Sequence, residues 1–231
     1  MNASHIARQE TGQRETEKRA VLLVDDHPVV CEGLTERINR EPDFTVCAVA
    51  QTGSAALAAI LRCQPDIVVL DLALPRNHGL EVLRDIRQQF PKLPVLIFSM
   101  HEETVYAERV LRSGARGYIM KHQPPERLLE GMRNVLRGNY ALSPEAASRL
   151  LSSFSQPVTS QLESPTDCLG NRELEVFQFL GQGKGTREIA GLLGLSVKTV
   201  ETYRGRLKEK FKITSAPELM RLAVRWVETG V

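Results

Sequence analysis

Five polar side chains in the first half of the chain are of the types that phosphoryl and metal chemistry uses. Asp25 and Asp26 follow one short apolar run, and Asp71 follows another. Ser99 ends a third run and Lys121 follows a fourth. If these runs are parallel strands, the five residues lie outside the carboxyl ends of a sheet, where open α/β domains bind their ligands. We therefore expect them to converge at one edge.

The set predicts a chemistry that no member predicts alone. Three carboxylates pressed together repel one another and need a cation, and Mg²⁺ suits them because it prefers oxygen ligands and a substrate phosphate. A carboxylate beside the ion can accept a phosphoryl group as an acyl phosphate. A lysine and a serine hydroxyl would then bind the phosphoryl oxygens. Taken singly, each residue is better explained as a turn residue, a helix cap or a solvated charge.

The elements that must position these side chains alternate from residue 20 to residue 140. Short β-branched runs predict strands at 21–24, 45–49, 67–70, 95–98 and 117–120. Apolar residues at helical spacing predict helices at 30–38, 55–61, 80–86, 105–111 and 128–136. Strands that alternate with helices indicate βαβ units. The pattern predicts an α/β doubly wound domain with a five-stranded parallel sheet.

The rest of the chain differs in character. Residues 1–19 are polar and predict a flexible tail. Residues 141–168 are rich in Ser, Gln, Pro and Thr and predict a linker that contains a short helix at 144–151. Residues 169–231 have no strand pattern. Their helical segments predict a small all-α domain, with helices at 171–181, 186–193, 197–211 and 217–226.

Capping residues mark the ends of these helices. Thr186 and Ser196 are predicted N-caps because their hydroxyls can accept first-turn amides. Ser215, with a glutamate three residues later, predicts a capping box. Gly194 is expected to supply the positive φ angle of a turn, and Asn171 is expected to cap the first helix of the domain.

The second and third of these helices form a helix-turn-helix pattern. In the third helix Val200, Leu207 and Phe211 share one face, which predicts a buried stripe. Between residues 197 and 212 there are six Lys or Arg and two Glu. The start of such a helix meets base edges while cations hold phosphates. The candidate DNA contacts are Lys198, Thr199, Glu201, Thr202, Tyr203, Arg204, Arg206 and Lys208; a solvated cationic helix in a protein-binding bundle is the alternative.

Charge is distributed unevenly along the chain. The formal net charge is +2. Residues 21–140 carry 14 Lys or Arg against 15 Asp or Glu, whereas residues 169–231 carry 11 against 7. A polyanionic partner is therefore expected at the C-terminal part.

Several classes of protein are disfavoured by composition. No apolar run approaches the roughly 18 residues of a membrane-spanning helix, and the polar N-terminus lacks the apolar core of a secretory signal. The four cysteines are scattered without a C-x-x-C pair, which predicts reduced, mostly buried thiols rather than zinc or disulfides. We expect a cytoplasmic protein without a membrane partner.

Residues 20–138 resemble a response-regulator receiver domain. The matching motifs are V-D-D-H-P at 24–28, V-V-L-D-L-A-L-P at 68–75 with Gly79, I-F-S-M-H at 97–101 and G-Y-I-M-K at 117–121. The resemblance implies that Asp71 is the phosphoacceptor. It also implies that Asp26, Asp71 and the backbone carbonyl of Ala73 hold Mg²⁺, with Asp25 completing the cluster through a water.

The same resemblance implies a switch. Ser99 would turn toward the phosphoryl group, Tyr118 would pack into the space it leaves, and Lys121 would contact the phosphoryl oxygens. Ala73 and His101 occupy positions at which the resemblance implies control of phosphoryl lifetime. From the residues alone, His101 is predicted to face solvent in a loop.

Residues 169–228 resemble the LuxR/GerE-type DNA-binding domain. The matching motifs are G-x-G-x-x-x-x-E-I-A and S-V-K-T-V-E-T-Y-R-x-R-L-x-x-K. The two halves together resemble a NarL/FixJ-type two-component transcription factor, which implies a histidine kinase partner, double-stranded DNA and a homodimer when phosphorylated. It implies no enzymatic role. Glu201 and Gly205 depart from lysines found in some relatives, which leaves the recognised DNA sequence open.

Three alternatives come from other classes of protein. A haloacid-dehalogenase-type phosphatase is disfavoured because it requires a D-x-D motif, and the position two residues after Asp71 is Ala73. A small-molecule-sensing regulator is disfavoured because it needs an aromatic-rich ligand domain. A phosphorylation-independent regulator stays open, as does the arrangement of the two domains. Leu219, Leu222 and Trp226 form either a dimer surface or part of the bundle core.

Overall fold

A computed structural model describes residues 18–74, 79–155, 166 and 168–229. Five strands form one sheet in which every pairing is parallel, in the order β2-β1-β3-β4-β5. The strands are β1 Arg19–Val24, β2 Phe44–Ala50, β3 Ile67–Leu70, β4 Val95–Ser99 and β5 Gly117–Met120. The predicted fold class is confirmed.

Five helices cover the two faces of this sheet. Helices α1 and α5 pack on one face, over Leu23 and Leu96, and α2, α3 and α4 pack on the other, over Val68 and Ile97. Because both faces are covered, β3 is buried along its whole length, as expected for strands without polar alternation. The helices are α1 Pro28–Asn39, α2 Gly53–Cys63, α3 Gly79–Gln89, α4 Glu103–Arg112 and α5 Pro125–Leu136.

The start of the predicted linker is attached to this domain. Ala141 pairs with Gly117 beside β5. The following helix, α6 Pro144–Ser155, packs on α4. The amide of Ser143 donates to Oε1 of buried Glu103 at 2.9 Å. The short helix predicted at 144–151 therefore exists and continues to Ser155.

Four helices form the second domain, and their apolar faces share one core. Phe177 lies 4.9 Å from Phe211 and 5.4 Å from Trp226, measured between ring centroids. Leu219 and Trp226 are buried, so these two belong to the core rather than to a free dimer surface. The helices are α7 Asn171–Gly181, α8 Thr186–Leu192, α9 Val197–Phe211 and α10 Ala216–Thr229.

The capping predictions have mixed outcomes. The hydroxyl of Ser196 accepts from the Thr199 amide at 3.0 Å, and that of Ser215 accepts from the Glu218 amide at 3.2 Å. Gly194 has φ +62°. The Ser196 cap and the Gly194 turn are confirmed; at Ser215 the hydroxyl half of the predicted capping box is confirmed.

Two capping predictions are wrong. Gly185 rather than Thr186 is the N-cap of α8, because Thr186 is already helical and its hydroxyl accepts from Arg204. Gly170 rather than Asn171 is the N-cap of α7. There the carboxylate of Glu173 accepts from the Gly170 amide at 2.7 Å, which is the one half of a capping box that a glycine N-cap allows.

The expectation that the thiols are mostly buried is wrong, because Cys47 and Cys63 are only partly buried and Cys168 lies at the surface. All four cysteines are free thiols; Cys31 is buried and Cys168 is exposed. Within the described ranges, no helix combines the length and apolar character needed to cross a membrane.

An ion-pair network predicts a change in acid stability. Arg133 on α5 donates to Asp43 at 2.8 and 2.9 Å and to Glu41 at 2.7 Å. These hydrogen bonds lower the pKa of both carboxyls. The stability they add is present above the unfolded pKa values, about 3.9 and 4.3, and is lost as the pH falls through the lower folded values. We expect Arg133→Gln to unfold at a higher pH than the wild type in an acid titration followed by circular dichroism.

The matched control is Arg127→Gln. Arg127 makes an exposed pair with Glu130 at 3.2 Å on the same helix, and exposed pairs contribute little. Its acid midpoint should equal that of the wild type. Equal midpoints for both variants would contradict the prediction.

Candidate functional site

The predicted cluster of charges forms at the carboxyl ends of β1, β3 and β5. Nζ of Lys121 lies 2.6 Å from Oδ2 of Asp25 and 2.7 Å from Oδ2 of Asp71. The three side chains are 7%, 5% and 1% exposed, respectively. A buried lysine thus holds two buried carboxylates together.

The protonation of Lys121 follows from these contacts. Burial favours the neutral amine, but Asp71 and Asp25 outweigh it and hold the pKa of Lys121 above its ordinary value. Lys121 therefore carries a positive charge at neutral pH. It is placed to neutralise a negative group added to either carboxylate.

A group of possible metal ligands lies at the same place. One donor atom from each of Asp25, Asp26, His27 and Asp71 falls within 4.8 Å of the others. Nδ1 of His27 lies 3.0 Å from both Asp25 Oδ1 and Asp26 Oδ1. Three of the four donors are carboxylates, which fits a hard divalent cation. His27, whose side chain is 59% exposed, caps the start of α1 and precedes Pro28.

The backbone around Asp71 is closely packed. The amide of Ala73 donates to Oδ1 of Asp71 at 3.2 Å, which orients the carboxylate. A Cβ atom added at Gly79 would lie 2.3 Å from the carbonyl oxygen of Asp71 and 2.6 Å from Cα of Leu72. Only glycine allows α3 to start this close to the end of β3, so Gly79 belongs to the site by position.

The proposed switch residues lie together beneath α4. Ser99 and Tyr118 are buried. The Tyr118 hydroxyl donates to the carbonyl oxygen of His101 at 2.9 Å, and the His101 amide donates to Oγ of Ser99 at 3.4 Å. Burial raises the pKa of Tyr118 well above its ordinary value, so the hydroxyl keeps its proton. His101 therefore connects the two predicted switch residues.

The prediction that His101 faces solvent is wrong. Its side chain is buried because α7 of the second domain covers it. Nε2 of His101 lies 3.2 Å from Oε1 of Glu175, a side chain with no exposed surface. Sequence reasoning missed Glu175 because no local pattern signals a contact between residues 74 positions apart.

Two arginines extend the contact between the domains. Nη2 of Arg172 donates to the carbonyl oxygen of Leu74, three residues after Asp71, at 2.9 Å. Nη1 of Arg109 on α4 donates to the carbonyl oxygen of Leu169 at 2.9 Å, and its Nη2 donates to that of Thr166. The structure thus has a closed arrangement, a point that the sequence left open.

The candidate DNA contacts lie along α9. Lys198, Glu201, Thr202 and Arg206 are exposed. The remaining four are partly buried: Thr199, Tyr203, Arg204 and Lys208. Arg204 donates to the Thr186 hydroxyl at 2.5 Å, so it joins α9 to α8. The buried stripe includes Val200 and Leu207, as predicted.

Comparison with known proteins assigns the family. Residues 21–133 match the response regulator receiver domain family, and residues 167–223 match the luxR family of bacterial regulatory proteins. The oxygen regulatory protein NreC of Staphylococcus carnosus is 34% identical over 209 residues, which cover 89% of this chain and 96% of that protein. The chain is a NarL/FixJ-type response regulator. As such it regulates transcription through a two-component system and a helix-turn-helix domain.

Solved structures agree with the response-regulator architecture. A LuxR-family two-component response regulator from Aurantimonas sp. SI85-9A1 is 36% identical with a TM-score of 0.56, covering 60% of this chain and 99% of that one. RcsB of Salmonella typhimurium, at 22% identity, shares the fold with a TM-score of 0.60 and covers 90% of this chain and 98% of its own. The family assignment decides against the phosphatase and the small-molecule-sensing regulator that the sequence analysis considered.

Proposed function

We propose that Asp71 accepts a phosphoryl group from the phosphohistidine of a partner kinase. The observation that carries this is Lys121, held between the buried carboxylates of Asp71 and Asp25. In the transfer, a carboxylate oxygen of Asp71 forms a bond to phosphorus as the bond from phosphorus to the histidine nitrogen breaks. The ammonium of Lys121 then pairs with the phosphoryl oxygens instead of with the carboxylate.

Mg²⁺ fits the donors beside Asp71. Asp26, Asp71 and the backbone carbonyl of Ala73 would hold it, with Asp25 contributing through a water. The bound ion supplies positive charge to the phosphoryl oxygens. The protein's own part is to orient Asp71 through the Ala73 amide and to keep the carboxylates close together.

The phosphoryl group would be sensed through Ser99. The Ser99 hydroxyl turns toward the phosphoryl oxygens, and the β4–α4 connection rearranges with it. Tyr118 already lies in the buried position, bonded to the His101 carbonyl. It fills the space beside Ser99 and stabilises the rearranged connection.

The output is sequence-specific binding of double-stranded DNA by a homodimer. The exposed cations and polar groups of α9 support this proposal, since the start of a recognition helix meets base edges in the major groove. A dimer would engage two half-sites about one helical turn apart. Phosphorylation would promote the dimer and tighten its DNA binding.

The test compares wild type with Asp71→Asn, with and without acetyl phosphate and Mg²⁺. The DNA is selected from a random-sequence duplex library by the phosphorylated wild type. We expect a dimer and roughly 5- to 150-fold tighter binding in the treated wild type only, measured by light scattering and fluorescence anisotropy. Asp85→Asn is the matched control, because Asp85 is an exposed aspartate on α3 and should respond like the wild type.

One result would contradict this proposal. If wild type and Asp71→Asn bind the selected DNA equally in every condition, Asp71 is not the control point. The phosphorylation-independent regulator would then be the correct function.

A further inference from the structure

His27 is a member of the donor cluster that the proposed function does not use. Its imidazole belongs to the same group as the carboxylates of Asp25, Asp26 and Asp71, within 4.8 Å. The side chain is 59% exposed, and it accepts no hydrogen bond from the described amides of α1, although His27 occupies the N-cap position. Neither packing nor helix capping therefore explains why this ring lies against two carboxylates.

The backbone holds the imidazole in place. The His27 amide donates to Oδ1 of Asp25 at 2.9 Å, and Pro28 follows at the start of α1, where its ring restricts the backbone. Nδ1 of His27 lies 3.0 Å from Oδ1 of Asp25 and 3.0 Å from Oδ1 of Asp26. The Nδ1 atom is therefore turned toward the cluster and lies close to both carboxylates.

A hydrogen bond from the ring satisfies only one of these carboxylates. Nδ1 carries at most one hydrogen, and Oδ1 of Asp25 is its hydrogen-bond partner. Among the described residues, Oδ1 of Asp26 is buried without a hydrogen-bond partner, which is unfavourable for a carboxylate oxygen. A cation beside these atoms would satisfy both oxygens and the ring nitrogen together.

Spacing and charge both fit a divalent ion. Two ligands at right angles on an octahedral ion, with bonds of about 2.1 Å, lie about 3.0 Å apart. That is the separation of Nδ1 from each of the two carboxylate oxygens. The three carboxylates and the ammonium of Lys121 leave two negative charges in the cluster. A divalent ion neutralises them when the imidazole is neutral.

We propose that His27 ligates the ion through Nδ1 and makes this a site for a divalent transition metal, which it binds more tightly than Mg²⁺. The inference rests on the proposed function for the position of the ion and for its ligands Asp26 and Asp71. It does not depend on phosphoryl transfer, so the two can fail separately.

The preference follows from the chemistry of the added donor. Mg²⁺ gains little from an imidazole, because it prefers oxygen ligands and keeps several waters. A neutral imidazole is a common ligand of transition metals, and the affinity of nitrogen and oxygen sites rises from Mn²⁺ through Co²⁺ to Cu²⁺. His27 therefore adds affinity for these ions and not for Mg²⁺, and its contribution is expected to grow along that series.

The alternative is a histidine that only orients the carboxylates through its hydrogen bond. Such a residue would support every ion alike, because every ion would use the same carboxylate oxygens. The difference between ions, rather than the affinity for any one of them, therefore distinguishes a ligand from a positioning residue.

The test measures binding of Mg²⁺, Mn²⁺ and Co²⁺ to the full chain by isothermal titration calorimetry, without a phosphodonor. His27→Phe keeps a planar ring and removes the donor atom. Its affinity for Co²⁺ should fall about tenfold or more, since loss of even an outer-shell partner costs about 10–100-fold. Its affinity for Mg²⁺ should stay within about twofold of the wild type. The ¹⁴N modulation that a coordinated imidazole gives in the electron spin echo of bound Mn²⁺ should disappear.

The matched control is His122→Phe. His122 is an exposed histidine beside Lys121 and is outside the donor cluster, so this variant should bind all three ions like the wild type. Asp26→Asn should weaken all three ions, which places them at this site. Circular dichroism checks that each variant is folded.

Each remaining outcome decides one of the two proposals. If His27→Phe weakens Mg²⁺ and Co²⁺ equally, His27 is a positioning residue and the inference is wrong. It is also wrong if neither ion is weakened, or if the wild type binds Co²⁺ no more tightly than Mg²⁺. If Co²⁺ binding depends on His27 but acetyl phosphate does not phosphorylate the protein, the proposed function fails and the metal preference stands.

Discussion

Lys121→Met is expected to lower the free energy of unfolding of the receiver by about 3–5 kcal/mol in metal-free buffer. The change leaves Asp25 and Asp71 buried side by side without the ammonium that lies 2.6 and 2.7 Å from them. Methionine keeps the length of the aliphatic stem, so the loss comes from charge rather than from packing. Urea unfolding in EDTA, followed by circular dichroism, measures the effect.

Added Mg²⁺ should restore part of the lost stability. A divalent ion that binds the native carboxylates, and not the unfolded chain, stabilises the folded state by mass action. The matched control is Arg19→Met, whose pair with Asp66 is 62% and 33% exposed and should contribute less than about 1 kcal/mol. A Lys121→Met protein as stable as the wild type in EDTA would show that Lys121 does not hold the carboxylates together.

Leu207→Ala is expected to destabilise the second domain by about 2–5 kcal/mol. Leu207 has no exposed surface and lies on the inner side of α9, in the core that contains Trp226. Removing it leaves a cavity beneath the recognition helix, so binding to selected DNA should fall with stability. Trp226 is the only tryptophan in the chain, so its fluorescence during urea unfolding reports on this domain specifically.

Leu192→Ala is the control for this change. Leu192 is 56% exposed on α8, so its fluorescence midpoint should stay close to that of the wild type. Amide exchange in β3 follows the receiver in the same samples and should be unaffected by either variant. Unchanged Trp226 fluorescence in Leu207→Ala would mean that α9 does not depend on this core.

The receiver could be predicted well because its elements are local patterns. The run at 67–70 is apolar without alternation, and β3 spans the same residues, Ile67–Leu70. The position of Asp71 then follows from strand polarity, since parallel strands end at one edge. The convergence of Asp25, Asp71 and Lys121 could be predicted from the direction of the parallel strands alone.

Other features depend on tertiary packing that no local pattern encodes. The start of α7 is capped through the Glu173 carboxylate, which Lys210 on α9 also contacts at 2.6 Å. His101 precedes α4 in a polar segment, so it resembles a surface residue until α7 covers it. Glu175 is a charged residue that the rule of polar exposure places in water. Glu175 is buried because its own domain packs on the receiver at this position.

The segment that joins the two domains sets how strong their contact must be. Thirteen residues separate Ser155 from Leu169, so the domains cannot part by more than about 50 Å. Confinement within that radius gives an effective concentration of about 3 mM. A contact worth about 3–4 kcal/mol at the molar standard state then keeps half the molecules closed. When the closed and open arrangements are this evenly populated, an interaction of about 1–3 kcal/mol at the phosphorylation site changes which of the two predominates.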